Sequence, residues 1–189
     1  KPIEIQMLSG DSPISFSYPG GKMIQQESGE HKWEHSWKNE QLDAKLFSSL
    51  EFDGYQRYTI TLKAKEALKL DDFSLNIPFK SEIATYMMGM GLPGCTTPDS
   101  HTGKWEKPQD SFWIGNSEGG LWCEIRGSSY HGPLQNLYKP GHPRPWYNND
   151  KGYMSVNKTD QTTLATVGTG PIEMHPGEKL VFEFALLPT

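Results

Sequence analysis

The chain alternates between apolar and polar residues far more often than it repeats apolar residues at a helical spacing. The clearest example is residues 44–52, which precede the turn pair Asp53-Gly54 and a second alternating run at residues 58–64. Successive side chains of a β-strand point to opposite faces, so such runs indicate strands with one buried face. Asp-Gly is also a favoured hairpin turn. This pattern predicts an antiparallel hairpin within an all-β protein.

Other runs rich in β-branched and aromatic residues predict further strands. They lie at residues 3–7, 14–18, 22–25, 73–79, 111–114, 121–126, 152–157, 163–167 and 180–186. The 19 glycines and 14 prolines disfavour helices, so turns between strands must be frequent. A chain of 189 residues can bury a core without metals or disulfides. We expect one domain, residues 1–189, folded as a two-layer antiparallel β-sandwich.

Three segments lack this alternation. Residues 89–109 and 127–150 are rich in Gly, Pro and small polar residues, which predicts two long irregular loops. Such loops are either functional or plain surface loops. Residues 27–41 are polar and predict a connection between strands.

Charge and hydropathy exclude several partner classes. The net charge is -5, and the 18 lysines and arginines are scattered along the chain. Nucleic acid and anionic membranes attract clustered positive charge, so we expect neither as a partner. No stretch approaches the roughly 20 apolar residues that a membrane-spanning helix needs.

The metal-binding and nucleotide-binding motifs that can be sought in the sequence are weak or missing. Cys95 and Cys123 form either a disulfide or two buried thiols. The string from His31 to His35 matches the H-x-x-E-H pattern of inverted zinc peptidases. That chemistry needs a long helix, which the polar flanks do not support, so we expect two surface histidines. No glycine-rich phosphate loop is present, and we predict no metal and no cofactor.

One strand carries the best candidate for polar recognition. Trp122, Glu124 and Arg126 alternate on one face of the run at residues 121–126. Glycoside hydrolysis needs a pair of carboxylates across a cleft, and Glu124 has no evident second member. An ion pair between Glu124 and Arg126 is the alternative interpretation.

The tryptophans suggest a second kind of contact. Trp33, Trp37, Trp105 and Trp146 fall in polar segments, so we predict that they are exposed. Exposed rings can stack on sugar faces. Alternatively, they pack the long loops onto the sheets.

Several short strings follow one another along the chain. The first are Leu-Glu-Phe-Asp-Gly at residues 50–54, Tyr-Thr-Ile-Thr-Leu at 58–62 and Leu-Asn-Ile-Pro at 75–78. The next are Phe-Trp-Ile-Gly-Asn at residues 112–116 and Gly-Gly-Leu-Trp at 119–122, and the run at residues 182–189 is the last. Together these strings span about two-thirds of the chain, and they resemble the N-terminal β-sandwich domain of proteins related to glycoside hydrolase family 123.

The resemblance implies a supporting role in a larger enzyme. In such proteins a (β/α)₈ barrel follows the sandwich and carries the catalytic carboxylates, and family 123 enzymes cleave N-acetylgalactosaminides with help from the substrate's acetamido group. We therefore expect a non-catalytic accessory domain from the N-terminal side of a larger bacterial protein, periplasmic or secreted. Its expected partners are the downstream catalytic barrel and, in addition, glycan.

Two alternatives remain open. The first is a free-standing carbohydrate-binding module. In it, Trp113, Trp122, Trp146 and Tyr147 would stack on sugar rings, and Glu124 and Arg126 would bond hydroxyl groups. The second is a hydrolase or lyase that uses Glu124 with a loop histidine.

Overall fold

The computed structural model describes residues 2–10, 12–14, 21–105, 110–127 and 142–189. The strands are, in chain order, β1 (Glu4–Ser9), β2 (Ser12–Pro13), β3 (Gly21–Glu27), β4 (Glu30–Lys38), β5 (Leu42–Glu51), β6 (Gln56–Ala64), β7 (Leu68–Leu70), β8 (Asp72–Lys80), β9 (Tyr86–Gly89), β10 (Leu92–Thr96), β11 (Ser100–Lys104), β12 (Ser111–Asn116), β13 (Gly119–Arg126), β14 (Tyr153–Lys158), β15 (Thr162–Gly168), β16 (Ile172–Met174) and β17 (Lys179–Pro188). One turn of 3-10 helix spans Asn148–Asp150. The described segments include no helix that could cross a membrane.

Two large antiparallel sheets form the sandwich. One has six strands in the order β11-β14-β15-β8-β1-β2, and the other has nine in the order β10-β9-β12-β13-β17-β6-β5-β4-β3. A small third sheet pairs β7 with β16. The predicted all-β sandwich is confirmed.

The hydrophobic core lies between the sheets because alternate residues of each inner strand point inward. Strand β8 contributes Phe73, Leu75 and Ile77, and β17 contributes Phe182 and Phe184, all buried. The β7–β16 sheet adds a further set to the same core: Leu68, Leu70, Ile172 and Met174.

The predicted hairpin at residues 44–64 is formed by β5 and β6. Leu46 pairs with Ile60 across the two strands, and both side chains contribute to the core. Gly54 adopts a left-handed φ of 89° in the turn, a conformation that glycine reaches without steric cost. Phe52 lies in this turn with 88% of its surface exposed, so the buried face of β5 ends before it.

The prediction of a long loop at residues 89–109 is wrong for its described part. That part contains the end of β9 and the strands β10 and β11. Strand β10 is an edge of the nine-stranded sheet and β11 an edge of the six-stranded sheet. Edge strands gain backbone hydrogen bonds on one side without a continuous buried face, so they carry little apolar alternation to detect.

The second predicted loop falls largely outside the described residues, which exclude 128–141. Residues 142–150 form turns and the single 3-10 turn, so irregular structure is confirmed there. The strand predicted at residues 14–18 also lies outside the described residues beyond Ile14.

The prediction of a polar connection at residues 27–41 is wrong as well. The segment contains the end of β3 and all of β4, joined by a tight turn at Gly29 with φ 103°. No described residue of β4 is fully buried. A half-covered strand at the margin of a sheet tolerates polar residues on both faces.

The two cysteines are free thiols, with Cys123 buried and Cys95 partly exposed. Burial raises the pKa of the Cys123 thiol well above its ordinary value, and the Glu124 carboxylate adds to this effect.

Candidate functional site

The face of the nine-stranded sheet that points away from the core, here called the outer face, carries the candidate site. On β13, Cys123 and Ile125 enter the core, so Trp122, Glu124 and Arg126 lie on the outer face. The predicted shared face of these three residues is confirmed by the strand's burial pattern.

Four side chains on this face form a polar cluster, defined as Tyr55, Arg57, Glu124 and Arg126. Arg126 donates from Nε and Nη2 to Oε2 of Glu124, at 3.0 and 2.8 Å. The Tyr55 hydroxyl donates to the same oxygen at 2.9 Å. The guanidinium carbons of Arg57 and Arg126 lie 5.3 and 5.8 Å from the centre of the Tyr55 ring, within reach of cation–π attraction.

A small residue beneath the cluster lets its members meet. Ala185 of β17 pairs with Glu124 on one side and with Arg57 on the other. It is fully buried although it lies outside the sandwich core. The polar cluster therefore joins β13 to the start of β6, and its side chains meet above β17, which lies between these two strands.

The cluster changes the ionisation of its tyrosine. Burial, followed by the charge and hydrogen bond of Glu124, raises the pKa of Tyr55 from 10.0 to about 12. Tyr55 thus stays a neutral hydrogen-bond donor at physiological pH. Glu124 accepts three charge-assisted or strong hydrogen bonds on one oxygen, which suits a fixed acceptor rather than a general acid.

A shallow basin of about 380 Å³ adjoins the polar cluster. Its lining includes Arg57 and Arg126, together with Lys32, Phe47 and Glu183 from neighbouring strands. Pockets for small ligands typically hold about 300–1,000 Å³. The basin combines hydrogen-bond donors and acceptors with the aromatic side chains of Phe47, Tyr58 and Phe184, a mixture that can contact both polar and apolar parts of a ligand.

The positive charges of the basin have carboxylate partners. Lys32 pairs with Glu30 at 2.7 Å, and Arg57 pairs with Glu51 at 3.2 Å. Arg126 is paired with Glu124 as described. Each cation of the basin is therefore paired with a carboxylate, and Glu183 adds a further negative charge to the lining.

Trp113 lies flat against two glycines beside this region. It pairs with Trp122 across β12 and β13. A Cβ atom at Gly120 would sit 2.5 Å from the Trp113 ring, and one at Gly115 would sit 2.6 Å from it. The Trp113 indole nitrogen donates to Oγ1 of Thr189 at 2.8 Å. The ring is thus fixed in orientation by glycine contacts and one hydrogen bond.

The predicted exposure of Trp146 is wrong. Its side chain is fully buried between the sheets and contacts Phe73 and Phe182, with ring centres 5.5 and 5.0 Å away. Its indole nitrogen donates to the Glu183 carbonyl at 3.0 Å. Trp146 is therefore a core anchor for its loop, and its faces are not available to a sugar.

Tyr147 also lies away from the outer face. It is half-buried and stacks on His142, with ring centres 4.3 Å apart. The structure thus brings Trp113, Trp122, Glu124 and Arg126 to one face and places Trp146 and Tyr147 on the core side of the sheet. Trp146 and Tyr147 therefore lie on the other side of the sheet from the four residues with which they were predicted to bind glycan.

The remaining tryptophans are less exposed than predicted. Trp105 is buried, and Trp33 and Trp37 are half-buried on β4. His31 stacks beside Trp33 and His35 beside Trp37, with ring centres 5.9 and 6.0 Å apart. Packing of the segments onto the sheets is the alternative that the structure supports for these rings.

The H-x-x-E-H string lies on β4 and not on a helix or a loop. Residues four apart on a strand are separated by about 13 Å, so His31 and His35 cannot share one metal ion. Across the described ranges, no three His, Cys, Asp or Glu side chains group closely enough to hold a metal.

Sequence reasoning missed Tyr55, Arg57 and Ala185. Along β6, Tyr58 and Ile60 point toward the core, so Arg57 points to the outer face. The alternation of this strand was therefore visible in the sequence. The missing information was the order β13-β17-β6, which brings residues about 70 positions apart into contact.

The protein is thus a β-sandwich with a polar cluster and an adjoining basin on the outer face of its nine-stranded sheet. The chain belongs to the family described as "Glycoside hydrolase 123, third domain", whose sequence model matches residues 1–189. The predicted relationship to glycoside hydrolase family 123 is confirmed. The description names a third domain, and an N-terminal position in the parent protein stays a prediction.

Solved structures share the fold at very low sequence identity. A "putative aldose 1-epimerase" from Escherichia coli K12 matches with a TM-score of 0.52 and 7% identity, covering 89% of this chain and 68% of its own. A "galactose mutarotase related enzyme" from Lactobacillus acidophilus matches with the same TM-score and identity, covering 93% and 71%. No curated protein sequence matches this chain. At this identity, the likeness concerns the fold alone.

Proposed function

We propose that this domain is a non-catalytic accessory β-sandwich of a glycoside hydrolase. In this role it supports a catalytic barrel in the same polypeptide and contributes contacts to glycan. The observation that carries the proposal is the family match over residues 1–189. As part of the same proposal, the parent protein acts outside the cytoplasm of a bacterium, which fractionation of the source cells would test.

The chemistry of Glu124 supports a role in binding. Its Oε2 atom already accepts bonds from Tyr55 and from two nitrogens of Arg126. A glycosidase acid must donate a proton to the leaving oxygen, whereas Oε2 of Glu124 is the acceptor in all three of these hydrogen bonds. Glu124 is therefore suited to orienting Arg126 and Tyr55.

The basin and polar cluster are the proposed glycan contact. Trp122 lies on the same face of β13 as Glu124, and Phe47 contributes an aromatic ring to the basin. Arg57 and Arg126 present nitrogen donors at the boundary between cluster and basin. Rings for the apolar face of a sugar, flanked by donors for its hydroxyls, make a complementary surface.

A free-standing carbohydrate-binding module is the second candidate. One observation favours it: the complete polar cluster and basin are built from this chain alone. In that case glycan binding would not depend on any additional domain.

Titration calorimetry of the chain against a panel of neutral oligosaccharides tests the glycan contact. We expect Trp122→Ala and Arg126→Ala each to weaken binding by at least about tenfold, since each removes about 1.4 kcal/mol or more of contact energy. Val181→Ala is the matched control because Val181 is exposed on the outer face of β17, away from the cluster. Equal binding by all four proteins would refute the assigned site.

Hydrolysis assays separate binding from catalysis. We expect the isolated chain to leave chromogenic glycosides intact. Activity that Glu124→Gln abolishes would instead establish the chain as an enzyme in its own right.

A further inference from the structure

Glu183 of β17 lies on the outer face of the nine-stranded sheet and lines the basin. It pairs with Arg126 of β13 on one side and with Thr59 of β6 on the other. The residues before and after it, Phe182 and Phe184, are buried in the core, so its own side chain points outward. The side chain is half-buried. A carboxylate in this position has lost part of its hydration, and hydrogen-bond donors are needed to replace the lost water.

The carboxylate of Glu183 differs from the other ionised groups around the basin because it has no ion-pair partner. Each cation of the lining has its own carboxylate, in the ion pairs Lys32–Glu30, Arg57–Glu51 and Arg126–Glu124. In the part of the chain that the structure describes, no hydrogen bond or ion pair reaches the carboxylate of Glu183. The bond from Trp146 goes to the backbone carbonyl of Glu183 and not to its side chain. The basin therefore holds one carboxylate whose acceptor capacity is available to a ligand.

The chemistry of this carboxylate restricts the ligands that can occupy the basin. An ionised carboxylate only accepts hydrogen bonds, and the hydroxyl groups of a sugar can donate them. A charged acceptor forms shorter and stronger hydrogen bonds than a neutral one. A sulfate or carboxylate group on the ligand would instead bring a second negative charge, and like charges placed together disfavour binding. The cations of the lining are already paired with their own carboxylates, so they do little to offset that repulsion.

We propose that Glu183 determines which glycans the basin accepts. Its carboxylate accepts hydrogen bonds from hydroxyl groups of an uncharged sugar unit, and its charge excludes units that carry sulfate or carboxylate. This inference rests on the proposed glycan contact, and it adds the class of glycan and the residue that selects it. Arg57 and Arg126 donate to oxygens of the same sugar, while Phe47 contacts its apolar face.

Titration calorimetry with two matched panels tests the proposal. One panel holds neutral oligosaccharides, and the other holds the same oligosaccharides with one sulfate group each. We expect the wild type to bind its best neutral ligand at least about tenfold more tightly than the sulfated counterpart. Glu183→Gln keeps the size of the side chain and removes its charge. It should reduce this preference to about threefold or less, and it should weaken binding of the neutral ligand because charge-assisted hydrogen bonds are lost.

Glu4→Gln is the matched control, since it removes the same charge from an exposed residue of β1 in the six-stranded sheet. It should leave the preference for neutral ligands unchanged. Thermal unfolding of Glu183→Gln should match that of the wild type, so that weaker binding is not a result of misfolding. Equal or tighter binding of the sulfated panel by the wild type, or a preference that survives Glu183→Gln, would overturn the role of Glu183 and leave the glycan contact in place. Absence of binding to both panels would contradict the glycan contact itself.

Discussion

At the scale of single residues, Tyr55 links the charged members of the polar cluster. Its hydroxyl bonds Glu124, and its ring contacts the guanidinium groups of Arg57 and Arg126. Exposed ion pairs contribute little to stability. The neutral Tyr55 hydroxyl donates to the Glu124 carboxylate. It can therefore fix the geometry of the charged side chains without adding a further charge.

The raised pKa of Tyr55 predicts a loss of stability at alkaline pH. The folded state binds the phenolic proton more tightly than the unfolded state, because burial and Glu124 raise the pKa from 10.0 to about 12. This contribution is complete below pH 10 and is lost as the pH rises through 12. Urea unfolding of the wild type and of Tyr55→Phe at pH 8, 10 and 11.5 measures it. The difference between the two proteins should shrink with rising pH, and a constant difference would contradict the assignment.

Some residue roles were accessible from sequence and others were not. The alternation of β13 placed Trp122, Glu124 and Arg126 on one face because strand geometry is local. The burial of Trp146 depends on Phe73 and Phe182, which are distant in sequence. A local polar context therefore gave the wrong environment for this ring.

At the scale of elements, the β12–β13 hairpin depends on close packing of the Trp113 ring against Gly115 and Gly120. We predict that Gly120→Ala destabilises the fold by about 1–3 kcal/mol, since the added methyl overlaps the ring and forces it to move. Gly94→Ala is the control, because its added Cβ would meet no atom within 4 Å. Chemical denaturation of both variants measures the effect. Equal stability of the two would mean that Trp113 shifts at no cost.

The elements that escaped sequence analysis share a position. Strands β7, β10, β11 and β16 lie at sheet edges, and β4 and β9 each lie next to an edge strand. The strands recognised from alternation, such as β6, β8 and β17, lie in the interior of the sheets. Only an interior strand must bury a full face. Alternation of apolar and polar residues therefore indicates which strands are buried, and it does not reveal every strand that is hydrogen-bonded into a sheet.

At the scale of the whole molecule, the sandwich class followed from the number and spacing of strands. The order of the strands did not, because pairs such as β6–β17 join segments that are distant in the sequence. The polar cluster depends on that order and could only be anticipated in part. The family resemblance was reached through short strings that the match over residues 1–189 then confirmed.

The arrangement of sheets predicts a gradient of local stability. Strand β17 pairs on both sides with β13 and β6 and carries three buried core residues. Strand β3 has one neighbour, and its residues are largely exposed. Amide hydrogen exchange should therefore be slowest in β17 and much faster in β3. Equal protection of both strands would contradict this prediction.

The central place of β17 also has a mechanical consequence. Tension applied at Thr189 runs along β17, whose ladders to β13 and β6 lie perpendicular to the strand. Such a pull loads many hydrogen bonds together in shear and cannot peel them apart one by one. A pull on Thr189 would therefore pass to β13 and β6 together, the two neighbours of β17 within the nine-stranded sheet.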